Sequence, residues 1–261
     1  MDDLRPLLGR TLVLVAHPDD EAVGCGGLLQ RIADPIVVFA TDGAPRSDFF
    51  WKQYGSREEY ARIRIREAEN ALAAVGIAHF HFLAEPNSIV DQELHTQLGR
   101  AYEALIEIVD LEMPDAMLTL AYEGGHPDHD SCCFLASLAA RQFGLPVWEM
   151  PLYYRIGGRI ERQQFFHPAG EFELELAGNE LARKQKMFSS HASQAETLRE
   201  FSPQIERFRP VRAYDFSRPP YEAQLNYEAW QWPMNGPDLC RAFDQLLQKT
   251  SFNKQPWGTA A

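Results

Sequence analysis

The stretch Thr11–Gly27 reads T-L-V-L-V-A-H-P-D-D-E-A-V-G-C-G-G. Thr11 to Ala16 is a short, nearly all-apolar, β-branched run, the pattern of a strand buried on both faces of a parallel sheet. At its C-terminal end come His17, Asp19, Asp20 and Glu21. Open α/β sheets hold their ligands where parallel strands end, and imidazole with carboxylate is a common donor set for a divalent metal, zinc above all. His17 and Asp20, three apart across Pro18, are spaced to reach one ion, which leaves Asp19 free to act as a base on water there. The competing reading is an acidic turn that caps a helix, with Asp19 or Asp20 at the N-cap and Glu21 in the first turn. Taken alone, the stretch does not choose between them.

Working outward, Ala22–Ala33 has the pattern of a helix. Gly24, Gly26 and Gly27 invite comparison with a dinucleotide fingerprint, but Asp19, Asp20 and Glu21 would repel a pyrophosphate. Close packing of this helix on the sheet is the better use of the glycines. Further strands are expected at 35–41, 78–83, 116–121 and 146–150, with helices at 56–75, 91–113 and 131–143. Ser56 and Glu59 form a capping box for the first of these. Its Arg62, Arg64 and Arg66 are expected in solvent or paired with neighbouring glutamates. His79 and His81 alternate onto one face of a strand and read as satisfied histidines rather than ligands. Strands alternating with helices argue for a right-handed, mostly parallel sheet. The aromatic segment 44–55, with Phe49, Phe50, Trp51 and Tyr54, is read as a lid or substrate wall, or else as a loop tucked onto the core. After Pro151 the pattern changes. Segments 159–166 and 171–176 suggest an antiparallel hairpin, 179–190 a helix, 191–237 no clear periodicity, and 238–248 a last helix.

The chain has 261 residues, 45% hydrophobic and 24% charged, with a formal net charge of −12. That suits one globular domain of α/β size with an appended subdomain. The charge argues against a nucleic-acid or anionic-membrane partner, and no apolar run approaches the roughly 18–20 residues of a membrane span. The cysteines, Cys25, Cys132, Cys133 and Cys240, form no C-x-x-C pair, so reduced thiols in a cytoplasmic protein are expected. The acidic start, M-D-D-L-R-P, has no secretory-signal core. Oligomeric state is not legible.

The informative fact is a recurrence. His17-Pro18-Asp19-Asp20 and His126-Pro127-Asp128-His129 each follow an expected central strand and each offer two ligands at i and i+3. Neighbouring strand ends converge on one crevice in a doubly wound sheet. Together the clusters supply two or three ligands for one ion with a position left open, the arrangement of a catalytic metal rather than a structural one.

With A-H-P-D-D-E at 16–21 and G-H-P-D-H at 125–129, the chain resembles the LmbE-like / PIG-L family of zinc-dependent N-deacetylases. The helix R-I-R-E-A-E-N-A-L-A-A-V-G-I at 64–77, and Lys184 with H-A-S-Q at 191–194, extend the resemblance across about 11–194. It implies a Rossmann-like α/β fold, in agreement with the mostly parallel sheet with helices on both faces, C-terminal hairpin and irregular extension read from the residues. It places the catalytic domain at 1–195, its core ending near 150, and a C-terminal extension at 196–261 packed on the same domain. It implies Zn²⁺ held by His17, Asp20 and His129, with other divalent transition metals able to bind. Asp19 is then the general base. His126 stabilises the oxyanion, with Asp128 orienting it and favouring its charged form. The implied reaction removes an N-acetyl or related acyl group from an amino sugar or sugar conjugate such as an N-acetylglucosamine derivative. The alternatives are an amidase acting on a thiol conjugate or other small amide, and a non-catalytic carbohydrate-binding relative, against which an intact Asp19 and His126 speak. Certain thiol-biosynthesis members carry tyrosine two residues before the oxyanion histidine. Here that position is Gly124 and the nearest tyrosine is Tyr122, which points away from a mycothiol-type substrate.

Overall fold

A computed structural model describes residues 2–83 and 88–250. Strand β1 (Arg10–Val15) leads into the short helix α1 (Asp20–Cys25), then β2 (Asp34–Phe39), α2 (Arg57–Ala74), β3 (Phe80–Phe82), α3 (Leu98–Glu112), β4 (Ala116–Leu120), α4 (Pro127–Phe143) and β5 (Val147–Met150). The C-terminal part adds β6 (Tyr153–Ile156), β7 (Arg159–Arg162), β8 (Phe172–Glu175), α5 (Gly178–Ser190), α6 (Ala195–Leu198), β9 (Ile205–Pro210), α7 (Asn226–Ala229) and α8 (Gly236–Lys249). The main sheet runs β3-β2-β1-β4-β5-β9-β8. Its first five strands are parallel; β9 and β8 close one edge antiparallel.

This is the expected α/β fold. The chain winds outward from β1 through β2 to β3, then returns to β4 on the other side of β1 and continues to β5. Right-handed crossovers therefore place α1 and α2 on one face of the sheet and α3 and α4 on the other. Helix α5 packs against α1 and α2, and α8 against α3 and α4. Leu12, Val13, Leu14 and Val15 are fully buried at the centre. The winding reverses between β1 and β4, so their C-terminal ends open into a crevice. The helix expected over 22–33 ends at Cys25, and the glycines in and after it serve close packing: a Cβ on Gly24 would lie 2.6 Å from the Met150 sulfur, and one on Gly27 would lie 2.4 Å from Leu176 Cδ1.

Three further expectations change. The helix foreseen at 91–113 starts only at Leu98. The backbone N–H groups of Gln92 and Leu94 donate to the Asp128 carboxylate instead, at 2.6 and 3.1 Å, and hold residues 91–94 as a loop over the crevice. Segments 159–166 and 171–176 do not pair with each other. The hairpin is β6 with β7, while β8 pairs with β9. Strand β9 lies in the stretch that showed no periodicity, so part of the 196–261 extension is built into the main sheet between β5 and β8. It is locked there by Glu206, which accepts from Gly27 N (2.6 Å), Leu28 N (2.9 Å) and Lys184 Nζ (2.6 Å). Lys184 also donates to Val23 O at 2.9 Å.

Candidate active site

Each motif is held by hydrogen bonds to its own strand end. Asp20 Oδ2 accepts from Ala16 N (3.1 Å) and His17 N (2.8 Å), which folds the turn after β1 back on itself. After β4, Asp130 Oδ1 accepts from Glu123 N and Gly124 N, both at 3.0 Å. Pro127 opens α4 with His126 as its N-cap, a position where proline costs no helical hydrogen bond. Gly125 has no alternative residue: a Cβ there would sit 1.9 Å from Tyr153 O.

These turns bring His17, Asp20 and His129 together. His17 Nδ1 lies 3.3 Å from His129 Nε2 and 3.4 Å from Asp20 Oδ2, and His129 Nε2 lies 3.4 Å from Asp20 Oδ1. A tetrahedral ion with bonds near 2.0–2.1 Å needs ligand atoms about 3.3–3.5 Å apart; His17 Nδ1 and His129 Nε2 have that spacing, and each faces a different oxygen of Asp20. His17, His126 and His129 also form a group close enough to hold a metal ion. Burial opposes ionisation of Asp20, and His129 and His17 outweigh it, holding the carboxyl well below the usual carboxylate range. All three residues are buried but line an open cavity of about 200 Å³.

Asp19 lines the same cavity. Burial pushes its carboxyl up to about 6, against the pull of Arg64, whose Nη2 lies 3.1 Å from Asp19 Oδ2. Arg64 is not the solvated or glutamate-paired residue expected from the helix pattern. It is buried and donates to Gly43 O (2.9 Å) and Pro18 O (3.1 Å).

His126 sits against His17, their ring centroids 4.3 Å apart. Its Nδ1 accepts from Asp128 N at 3.1 Å. A backbone N–H can only donate, so the proton of the neutral ring is on Nε2, which faces Asp91 Oδ1 at 3.4 Å. Burial and the neighbouring His17 push His126 down to about 4, and a cation bound alongside would push the same way. Asp128 and Asp91 pull toward the charged form, as expected of Asp128, but burial and His17 outweigh them. The Asp128 carboxylate is 3.9 Å from His126 Nδ1 but 3.3 Å from His17 Nε2. It backs His17, the arrangement in which a carboxylate fixes the tautomer and orientation of a metal-binding histidine.

Asp91 was absent from the sequence reading, where it marked the start of a helix. It reaches the crevice from the loop after β3, with Oδ1 3.2 Å from His17 Nε2. Burial alone would raise its pKa; His17 and His126 outweigh burial and hold it below the ordinary carboxylate range. The available signal was topological: a loop leaving a parallel strand on the ligand edge of the sheet carries an acid. His79 and His81 both face Glu112 Oε1, at 2.9 and 3.0 Å, and the three form a second group, away from the crevice, that could hold a metal ion. The aromatic segment divides between its two readings. Trp51 and Tyr54 pack on Ala44, Tyr60 and Ala61, whereas Phe49 and Phe50 line a cleft beside the site. Tyr122 points away, donating to Arg218 O at 2.7 Å.

Residues 12–140 match the family described as PIG-L: GlcNAc-PI de-N-acetylase. This part of the chain is a PIG-L (LmbE-like) family domain. The 1D-myo-inositol 2-acetamido-2-deoxy-alpha-D-glucopyranoside deacetylase of Mycobacterium sp. (strain KMS) is 29% identical over 171 residues, 57% of this chain and 54% of that protein. The chain thus spans about half the length of that relative. A probable N-acetyl-alpha-D-glucosaminyl L-malate deacetylase 2 of Bacillus subtilis (strain 168) is 27% identical over 228 residues, 85% of this chain and 97% of that one. In fold, the N,N'-diacetylchitobiose deacetylase of Pyrococcus horikoshii superposes with a TM-score of 0.56 at 17% identity, covering 81% of this chain and 86% of that one. The PIG-L domain contains His17, Asp19, Asp20, Arg64, Asp91, His126, Asp128 and His129. Tyr153, Trp230 and Trp232, which complete the cavity wall, lie beyond it.

Proposed function

We propose that this protein is a zinc-dependent hydrolase that removes an N-acetyl group from an amino sugar or sugar conjugate. The observation that carries the reading is the cluster of His17, Asp20 and His129, in which the two imidazole nitrogens lie 3.3 Å apart and each lies 3.4 Å from one oxygen of Asp20, beside a buried carboxylate and a histidine whose Nε2 carries the proton. Two imidazoles and a carboxylate are a donor set that suits zinc. Bound there, the ion would activate water and polarise the amide carbonyl.

The chain's own residues do the rest. Asp19, held up to about 6 by burial, takes the proton of the attacking water as the new C–O bond forms. Arg64 fixes the carboxylate from its far side. The neutral His126 donates Nε2–H to the developing oxyanion, a preorganised donor in a site with little water. The proton on Asp19 then passes to the amide nitrogen as the C–N bond breaks, releasing acetate and the amine. Asp128 and Asp91 hold His17 from behind, and Asp128 also ties down the loop that carries Asp91. A cytoplasmic location agrees with four free, buried cysteines, and among the described residues no helix is long and apolar enough to cross a membrane.

The test is amine release from N-acetylglucosamine and a small panel of its conjugates, with metal-stripped and zinc-restored protein. Zinc-dependent release that Asp19→Ala abolishes supports the reading. Release that is indifferent to zinc, or to Asp19, contradicts it.

A further inference from the structure

The cavity over the metal-ligand cluster holds about 200 Å³, less than the ~300–1,000 Å³ of a typical small-molecule site. It opens into an outer cleft of about 590 Å³. Phe50, Gln92, Trp230 and Trp232 line both, so one molecule can occupy the two together. Large exposed apolar side chains gather here: Phe49, Phe50 and Trp230, with Phe49 74% and Trp230 43% accessible, all line the outer cleft. Such clustering, unlike a scattered exposed Leu, marks a binding surface. The rings are arranged in series. Trp232 meets His126 edge-on, with centroids 4.8 Å apart, and Trp230 lies 5.2 Å beyond Trp232.

Charge narrows the occupant. Among the described residues, no charged side chain lines the outer cleft. Among the described residues Arg64 is the one lysine or arginine of the inner cavity, and Asp19, Pro18 O and Gly43 O engage it. A carboxylate or phosphate on the far part of a substrate would lose its hydration there without gaining a partner.

We propose that the outer cleft binds the aglycone of the substrate, and that this aglycone is uncharged and aromatic or extensively apolar. The inference rests on the hydrolase reading for the sugar end and adds the chemistry of the other end. The aromatic wall comes from two separate segments, 47–50 in the PIG-L domain and 230–233 outside it. The cleft is therefore a property of this chain's C-terminal part as well as of its domain.

The test compares N-acetylglucosamine glycosides that bear methyl, p-nitrophenyl or L-malate, measuring Kd by calorimetry on the slow Asp19→Asn protein and kcat/KM on the wild type. One good aromatic contact is worth ~0.5–1.5 kcal/mol, and two give about a tenfold preference for nitrophenyl over methyl and over malate. In Phe49→Ser and Trp230→Ala proteins that preference falls to within about threefold. Equal affinities, tighter binding of the malate compound, or a preference that survives both substitutions overturns the inference. Tight, Phe49-dependent nitrophenyl binding without amine release would keep the aglycone cleft and sink the hydrolase reading. Release from all three compounds at equal kcat/KM and Kd would do the reverse.

Discussion

The floor of the crevice and its aromatic rim are built on different terms. On the floor, three side chains are fixed by bonds to nearby backbone: Asp20 to Ala16 N and His17 N, His126 Nδ1 to Asp128 N, Asp128 to Gln92 N and Leu94 N. On the rim, Phe49 and Trp230 stand in solvent and are brought together only by the long return of the chain through β9 and α7. A site that must place a proton donor and a base within tenths of an ångström is overdetermined. A surface that sorts substrates by shape and apolarity tolerates looser construction. Changes to the floor should therefore act on rate and metal, and changes to the rim on preference.

The sharpest contrast is Asp19→Asn, expected to lower amine release by ~10²–10⁴-fold with metal content unchanged by elemental analysis. His126→Ala should cost ~10²–10³ in kcat, with KM nearly unmoved in steady-state kinetics. Glu206→Ala removes no atom of the site, yet it strips the partner from a fully buried Lys184. Breaking such a pair costs about 3–5 kcal/mol, or roughly 10 °C in Tm by thermal denaturation. Asp128→Asn should weaken metal binding by ~10–100-fold, read by competition with a chromophoric chelator. An unchanged affinity there would detach Asp128 from His17 and blur the line between floor and support. At the weak end, Phe49→Ser should alter stability by no more than about 0.5 kcal/mol, since its ring is mostly in solvent. A large loss of Tm would make the rim part of the core and erase the contrast.

The same division explains what could be read from sequence. Runs 11–16 and 116–121 announce buried parallel strands, and the polar motifs that follow them fall where a doubly wound sheet gathers ligands. The winding reversal between β1 and β4 then brings the two motifs together. Asp91 escaped because its segment has helical periodicity, and only the tertiary bonds from Gln92 N and Leu94 N to Asp128 delay the helix to Leu98. Strand β9 escaped because I-E-R-F-R-P carries few apolar residues and ends in proline, and its antiparallel neighbours β5 and β8, not its own pattern, decide its state. The protonation of His126 depends on which of its nitrogens faces Asp128 N, and no spacing rule carries that information.

The central claim is that His17, Asp20 and His129 hold the ion on which hydrolysis depends. The most direct measurement titrates metal-stripped protein with zinc while following bound metal and amine release together, for the wild type and for His129→Ala. The account predicts that the wild type regains activity in step with one tightly bound equivalent, and that His129→Ala loses both the tight equivalent and the activity. Full activity in stripped protein, or a tight equivalent that persists in His129→Ala with catalysis intact, would contradict it.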